Sequence, residues 1–217
     1  MSANLNIRVP EWLDKICVWP LMRYRELKYG EPFRKIYLEQ GIYTIVDPDV
    51  YYEKCRFNWF LSSGNKAYAA RAIKIGPQKI RRSFLHREIV KPRKGKLVDH
   101  RDNDPFNNLR SNLRPATRSQ NTINRPKKPN TSSIYIGNYW NKERKMWRAG
   151  IRYMRKGRSI IKHLGYFDNE IDAARAYDRA AIKYHKEFAR LNFSREEYVK
   201  NKNDKKKSLI SYIFAKK

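Results

Sequence analysis

The stretch from Leu97 to Asn121 brings together residue types that could hydrolyse a phosphodiester. Leu97-Val98-Asp99-His100 is followed by Ser111-Asn112-Leu113-Arg114 and then by Ser119-Gln120-Asn121. Such hydrolysis needs an activated water, a divalent ion to hold the phosphate oxygens and leaving group, and a means of fixing the base. Mg²⁺ (or Mn²⁺) takes oxygen ligands and keeps several of its own waters, so one carboxylate and one amide oxygen can suffice. Asp99 and Asn121 supply that pair. His100, next to Asp99 on a strand, points to the opposite face and can reach a water without blocking the ion. Arg114 and Arg118 are the arginines best placed in sequence to clamp phosphate, ahead of Arg87 and Arg110. Asp102 and Asp104 read as turn formers, and His86 reads equally as a DNA contact or as part of the fold.

These residues need a scaffold, and four stretches differ in composition. Residues 1–40 are aromatic and basic, and Pro10, Pro20 and Pro32 are expected to break any long helix. From Gly41, strands are expected at Ile42–Val46, Phe57–Leu61 and Ala67–Ile75. Turns are expected at Asp47-Pro48-Asp49 and Ser62–Asn65, and a further apolar element over Phe84–Val90. Residues 91–125 are polar but interrupted by Leu97, Val98, Leu109, Leu113 and Ala116, the anchors of a folded site. Arg125 to Thr131 reads as a short, stiff basic linker.

Beyond it, three strands are expected at Tyr135–Trp140, Met146–Tyr153 and Ser159–Leu164. Turns join them at Asn141–Lys145 and Lys156-Gly157, and Gly165 ends the third strand. Asp168 is expected to cap a helix whose inner side carries Ile171, Ala174, Tyr177, Ala181 and Tyr184. Period-2 alternation puts Arg148, Gly150 and Arg152 on one face of the middle strand and Trp147, Ala149 and Ile151 on the other. Residues 200–207 are low in complexity and expected to be mobile.

Composition bounds the partners. The chain has 217 residues, with 49 Lys and Arg against 21 Asp and Glu, for a formal net charge of +28. A charge of that size calls for a polyanion. Nucleic acid, ribosomal RNA and an anionic membrane surface all satisfy it. Arg8, Asp14 and Lys15 interrupt any signal-peptide core, and no apolar run is long enough to span a bilayer. The expectation is a cytoplasmic, nucleoid-associated protein of a bacterial or phage-infected cell. Cys17 and Cys55 are too few and too far apart for a zinc knuckle.

Two resemblances sharpen this reading. Asp99-His100, Asp102-Asn103-Asp104-Pro105, Asn107-Asn108, Ser111-Asn112-Leu113-Arg114 and Thr117-Arg118-Ser119-Gln120-Asn121, with His86-Arg87 upstream, resemble the ββα-metal finger of HNH homing endonucleases over roughly residues 36–125. The resemblance implies His100 as general base, Asp99 and Asn121 as metal ligands, and Asn112 as the amide that holds His100 across the loop. Residues 133–193 resemble a plant APETALA-two (ethylene-response-factor) domain. The matching residues include Tyr135-Ile136-Gly137, Trp147-Arg148-Ala149, His163-Leu164-Gly165-Tyr166-Phe167 and Ala173-Ala174-Arg175-Ala176-Tyr177-Asp178. That family lays a three-stranded sheet in the DNA major groove, which implies a contact surface of Tyr139, Asn141, Arg148, Arg152 and His163.

The expected architecture is therefore α+β: a ββα-metal nuclease domain, then a three-stranded antiparallel sheet packed on one helix. Its parts are an N-terminal extension (1–40), an HNH endonuclease domain (41–125), a basic linker (126–132), an APETALA-two-like domain (133–193) and a basic tail (194–217). The expected partner is double-stranded DNA, bound by a monomer or dimer with no membrane and no organic cofactor. Two competing expectations are a non-catalytic DNA-binding regulator and a protein that binds or cleaves RNA.

Overall fold

A computed structural model describes residues 10–64, 67–127, 129 and 131–198. The low-complexity run at 200–207 and Asn65, the last residue of the turn expected at Ser62–Asn65, lie outside the described residues. The chain is mixed α and β, with four small antiparallel sheets among the described residues. It divides between Thr117 and Arg118 into two compact units. The division precedes the basic segment at 125–131 because residues 118–123 form a helix belonging to the second unit.

The first unit opens with a 19-residue helix, α1 (Glu11–Tyr29), which carries Pro20 in its interior. The expectation that proline would break this segment is corrected. Pro20 costs only the bond to the Ile16 carbonyl, on a side that faces solvent. The helix is tied down on both sides of it. Asp14 pairs with Arg34 at 2.8 Å and accepts from the Tyr52 hydroxyl at 2.8 Å. Arg25 donates to the Phe33 carbonyl at 2.5 Å.

β1 (Arg34–Tyr37) then pairs with β2 (Tyr43–Val46), Ile36 opposite Thr44. The structured part thus begins before Gly41, because the partner of the expected strand lies at residues 34–37. The expected turn at Asp47–Asp49 is instead the start of α2 (Pro48–Lys54), with Pro48 in its first turn, where a missing N–H is harmless.

β3 (Phe60–Leu61), β4 (Ala69–Lys74) and β5 (Ile80–Phe84) form a sheet in that order, with β5 on the edge. Sequence patterning does not single out β5, since Ile80, Arg81 and Arg82 are all exposed. The expected element at Phe84–Val90 is a helix, α3 (Leu85–Val90). Ile36, Leu38, Val46, Val50, Trp59, Ala69 and Leu85 make the core of this unit. β6 (Leu97–His100) and β7 (Leu113–Ala116) form an antiparallel pair that sets Asp99 opposite Arg114 and His100 opposite Leu113. The anchors Val98, Leu109, Leu113 and Ala116 are buried as expected.

The second unit begins with α4 (Arg118–Ile123). β8 (Asn138–Asn141), β9 (Met146–Arg155) and β10 (Arg158–Phe167) follow as a meander in which β9 is central. The β9–β10 turn has positive φ at Lys156 and Gly157, the pattern of a two-residue hairpin turn. α5 (Glu170–His185) packs on one face of the sheet and buries Ala173, Ala174, Tyr177, Ala180 and Ala181. Its cap is Asn169, whose side chain accepts from the Ile171 amide at 2.8 Å, and not Asp168. Ile171 is consequently turned outward, in the first turn, whereas Ala174, Tyr177 and Ala181 face inward as expected. Gly137 has φ +85°, and a Cβ there would overlap the Tyr177 ring, so the strand can approach the helix only through glycine.

Candidate functional site

The loop between β6 and β7 is folded onto β2 by its polar groups. The Ile45 amide donates to the Phe106 carbonyl and the Asn108 amide to the Ile45 carbonyl, both at 2.9 Å. Thr44 Oγ1 donates to the Phe106 carbonyl at 2.7 Å and accepts from Asn108 Nδ2 at 2.7 Å. Asp102 Oδ1 and Asp104 Oδ1 each accept from the backbone amide two residues on, at 2.9 Å, the behaviour of turn formers. Arg110 is an ion-pair partner of Asp49 at 2.7 Å.

His100 stands at the end of β6 in this frame, buried, with a ring nitrogen 3.3 Å from Asn108 Oδ1. Its ring lies 5.3 Å from that of His86, edge to face, and stacks on Tyr68 at 6.0 Å. Phe84 stacks on His86 at 5.6 Å. Burial pushes the His86 pKa down to about 3, and burial also holds His100 below the usual imidazole value. Both rings are therefore neutral at neutral pH, the form a proton acceptor requires.

The amide across from His100 is Asn108, which corrects the expectation for Asn112. The Asn112 side chain donates to Asp102 Oδ1 and to the Asn107 carbonyl, both at 2.8 Å, and accepts from the Asp102 amide at 3.1 Å. Asn112 closes the loop on itself, and Asn108 meets the imidazole. Sequence reasoning passed over Asn108 because Asn103, Asn107, Asn108 and Asn112 lie in one polar run, and only the stitching to β2 selects one. Full burial of an amide beside a buried threonine is the discriminating feature.

Asp99 and Arg114 meet inside the unit. Arg114 Nε and Nη2 reach Asp99 Oδ2 at 2.8 and 2.7 Å, with side chains only 7% and 4% exposed. Arg114 is thus the buried counter-ion of Asp99, a role different from an exposed phosphate clamp. Asn121 lies on α4 in the second unit, half-buried. Among the described residues no group of three or more His, Cys, Asp or Glu side chains is arranged to hold a metal ion. Asp99, next to His100 on β6, already carries a guanidinium, and the Asp102 and Asp104 carboxylates also act on the ring. To hold a divalent ion, Asp99 would have to give up its ion pair with Arg114.

In the second unit the five residues expected at a DNA surface share the face of the sheet turned away from α5. Tyr139 is opposite Arg148, Gly150 opposite His163 and Arg152 opposite Ile161, while Asn141 is opposite Met146. Arg148 Nε donates to His163 Nδ1 at 3.3 Å, and its guanidinium lies 5.6 Å from the Tyr139 ring centre. Gly150, with no side chain, leaves a hollow of about 280 Å³ between Arg148 and Arg152. Asn141 Oδ1 accepts from the Arg144 amide at 2.7 Å and so closes the β8–β9 turn. Arg118 lines a separate groove of about 880 Å³ with Arg125, Lys127 and Arg152.

Alternation does not place Tyr166 on this face, but the structure does. A register shift between His163 and Gly165 brings Tyr166 opposite Arg148, and its ring lies 4.8 Å from that of His163. The expected strand end at Gly165 is this bulge, with φ +130° at the glycine, and β10 runs on to Phe167. Arg144 stacks on the Tyr166 ring at 4.6 Å.

The two units together define a mixed α+β chain with a buried polar cluster in one half and an open basic sheet face in the other. No family model matches the chain, and no solved structure matches it. An AP2-like ethylene-responsive transcription factor (ANT) of Arabidopsis thaliana is 33% identical over 122 residues, covering 55% of this chain and 19% of that protein. Protein 3.8 of Escherichia phage T7 is 42% identical over 59 residues, covering 27% of this chain and 48% of that protein. The chain spans less than half the length of each of these relatives. Among the described residues no helix is long and apolar enough to cross a membrane.

Proposed function

We propose that the chain binds double-stranded DNA through the open face of β8–β10 and that its first unit is an endonuclease acting through His100. The observation that carries the binding reading is the charge of the sheet. Its three strands contain no Asp or Glu, yet they contain Arg148, Arg152, Arg155, Arg158 and Lys162. Arg148 and Arg152 stand with Tyr139 and His163 on the side that α5 leaves open. A sheet with one apolar side on a helix and one cationic, aromatic side suits a duplex groove. The partial similarity to a plant transcription factor supports this reading.

The nuclease reading rests on His100, a neutral buried imidazole held by Asn108 beside a charge-compensated carboxylate. In this role His100 takes the proton of a water whose oxygen bonds to phosphorus as the bond from phosphorus to the 3′ oxygen breaks. The leaving oxygen takes a proton from solvent to give 5′-phosphate and 3′-hydroxyl ends, and Asn108 fixes the ring. A divalent ion, expected from the sequence to use Asp99 and Asn121, is a separable part of the proposal. A nicking assay on supercoiled plasmid tests the whole, with Mg²⁺ or Mn²⁺ and with chelator. His100→Ala is expected to abolish nicking while duplex affinity stays within about twofold. Equal loss of both would make the histidine structural. The Asp99–Arg114 pair favours a second reading, a DNA-binding regulator without catalysis. A wild-type protein that binds duplex but never nicks it, with either ion, would establish that reading.

A further inference from the structure

The first unit carries a second basic surface that the sheet face and the His100 cluster do not use. Edge strand β5 and helix α3 border a groove of about 620 Å³, lined by Arg81, Arg82, Arg87 and Lys91. All four are exposed. Glu88, the one acidic residue among those lining it, is already compensated. Its carboxylate takes Arg71 at 2.7 Å and Lys54 at 3.1 Å, so the groove presents its cations unopposed. The groove also leads toward the imidazoles. Arg82 and Phe84 are two apart on β5 and share a face. Phe84 lines the groove and stacks on His86, which meets His100 edge to face.

We propose that this groove is a phosphate-backbone site for duplex DNA, separate from the sheet face, which gives the first unit its own hold on the strand beside His100. Arg81 and Arg82 are neighbours on an edge strand and both line the groove, so they offer paired cations to a backbone rather than a means to read a base. Arg87 on α3 and Lys91, the residue that caps its C-terminus, line the other wall. Contacts of this kind are independent of base sequence and release counterions. The proposal rests on the duplex-binding reading above.

The test is the salt dependence of duplex affinity for the full chain, with variants Arg81→Ala/Arg82→Ala, Arg81→Lys/Arg82→Lys and, for comparison, Arg148→Ala/Arg152→Ala. The groove double-alanine variant is expected to lower affinity roughly tenfold at about 0.1 M salt on every duplex sequence. It should also flatten the plot of log K against log salt by about 2. The double-lysine variant should keep the affinity and the slope, because a point charge suffices for a phosphate. Wild-type slope and affinity in the double-alanine variant would overturn the groove site while leaving the sheet reading intact. A wild-type chain with no measurable duplex affinity would overturn both. Loss of single-stranded RNA binding without loss of duplex binding would overturn the assignment of the groove to duplex DNA.

Discussion

The two units use polar side chains in opposite directions. In the first, Asp99, Arg114, His100, Asn108 and Thr44 are all buried and are satisfied by one another or by backbone. In the second, the sheet buries Ala149 and Ile151 against α5 and turns Arg152, Tyr139 and His163 outward. An interior polar cluster has a fixed geometry because every unmade bond in it costs the full desolvation of the group. An exposed polar face is cheap to maintain and can adapt to a partner. Fixed geometry suits a group that must move a proton, and adaptable cations suit a surface that must grip a long polyanion.

The contrast can be broken from the first unit. Arg114→Ala leaves the Asp99 carboxylate buried without its guanidinium and is expected to destabilise that unit by about 3–5 kcal/mol. Denaturant unfolding with hydrogen exchange should place the loss in residues 10–117. A similar loss in residues 118–198, or a loss below about 1 kcal/mol, would mean the pair is not the interior anchor described. In the second unit Gly137→Ala forces a Cβ into the Tyr177 ring at a positive φ and should cost about 2–3 kcal/mol. That loss should appear in α5 and β8. By contrast, Arg152→Ala on the open face should change stability by no more than about 0.5 kcal/mol.

A smaller effect sharpens the comparison through pH. His86 has a folded pKa of about 3, well below its unfolded value near 6.5, so the unfolded chain binds the proton more tightly. Its stabilising contribution is complete above about pH 6.5 and is lost as pH falls toward 3, at up to about 1.4 kcal/mol per pH unit. His86→Phe should remove that part of the slope and leave the stability at pH 8 within about 1 kcal/mol. Identical pH profiles for the variant and wild type would show that His86 is not buried as described.

Much of the second unit was legible in its sequence. The alternation from Trp147 to Arg152, the Lys156-Gly157 turn and the alanines of α5 follow local rules that need no knowledge of distant residues. Where those rules failed, one residue intervened. Asn169 took the cap because its side chain reaches the Ile171 amide, and the bulge at Gly165 reversed the alternation for Tyr166. The first unit was less legible. α1 contains a proline yet persists because Asp14 ties it to Arg34 and Tyr52 and Arg25 ties its last turns to Phe33. β5 has an exposed, charged pattern that carries no strand period.

The sequence by itself determined the charge, the alternating faces of the central strand and the small residues that let α5 lie close to the sheet. Each of these depends on composition or on neighbours a few positions apart. Only the tertiary structure decided that Asn108 rather than Asn112 meets His100, and that Arg114 is spent inside the molecule on Asp99. Those choices depend on β2 reaching across to the Asn107–Asn108 loop and on the pairing of β6 with β7. Contacts so far apart along the chain leave no period for local reading to detect.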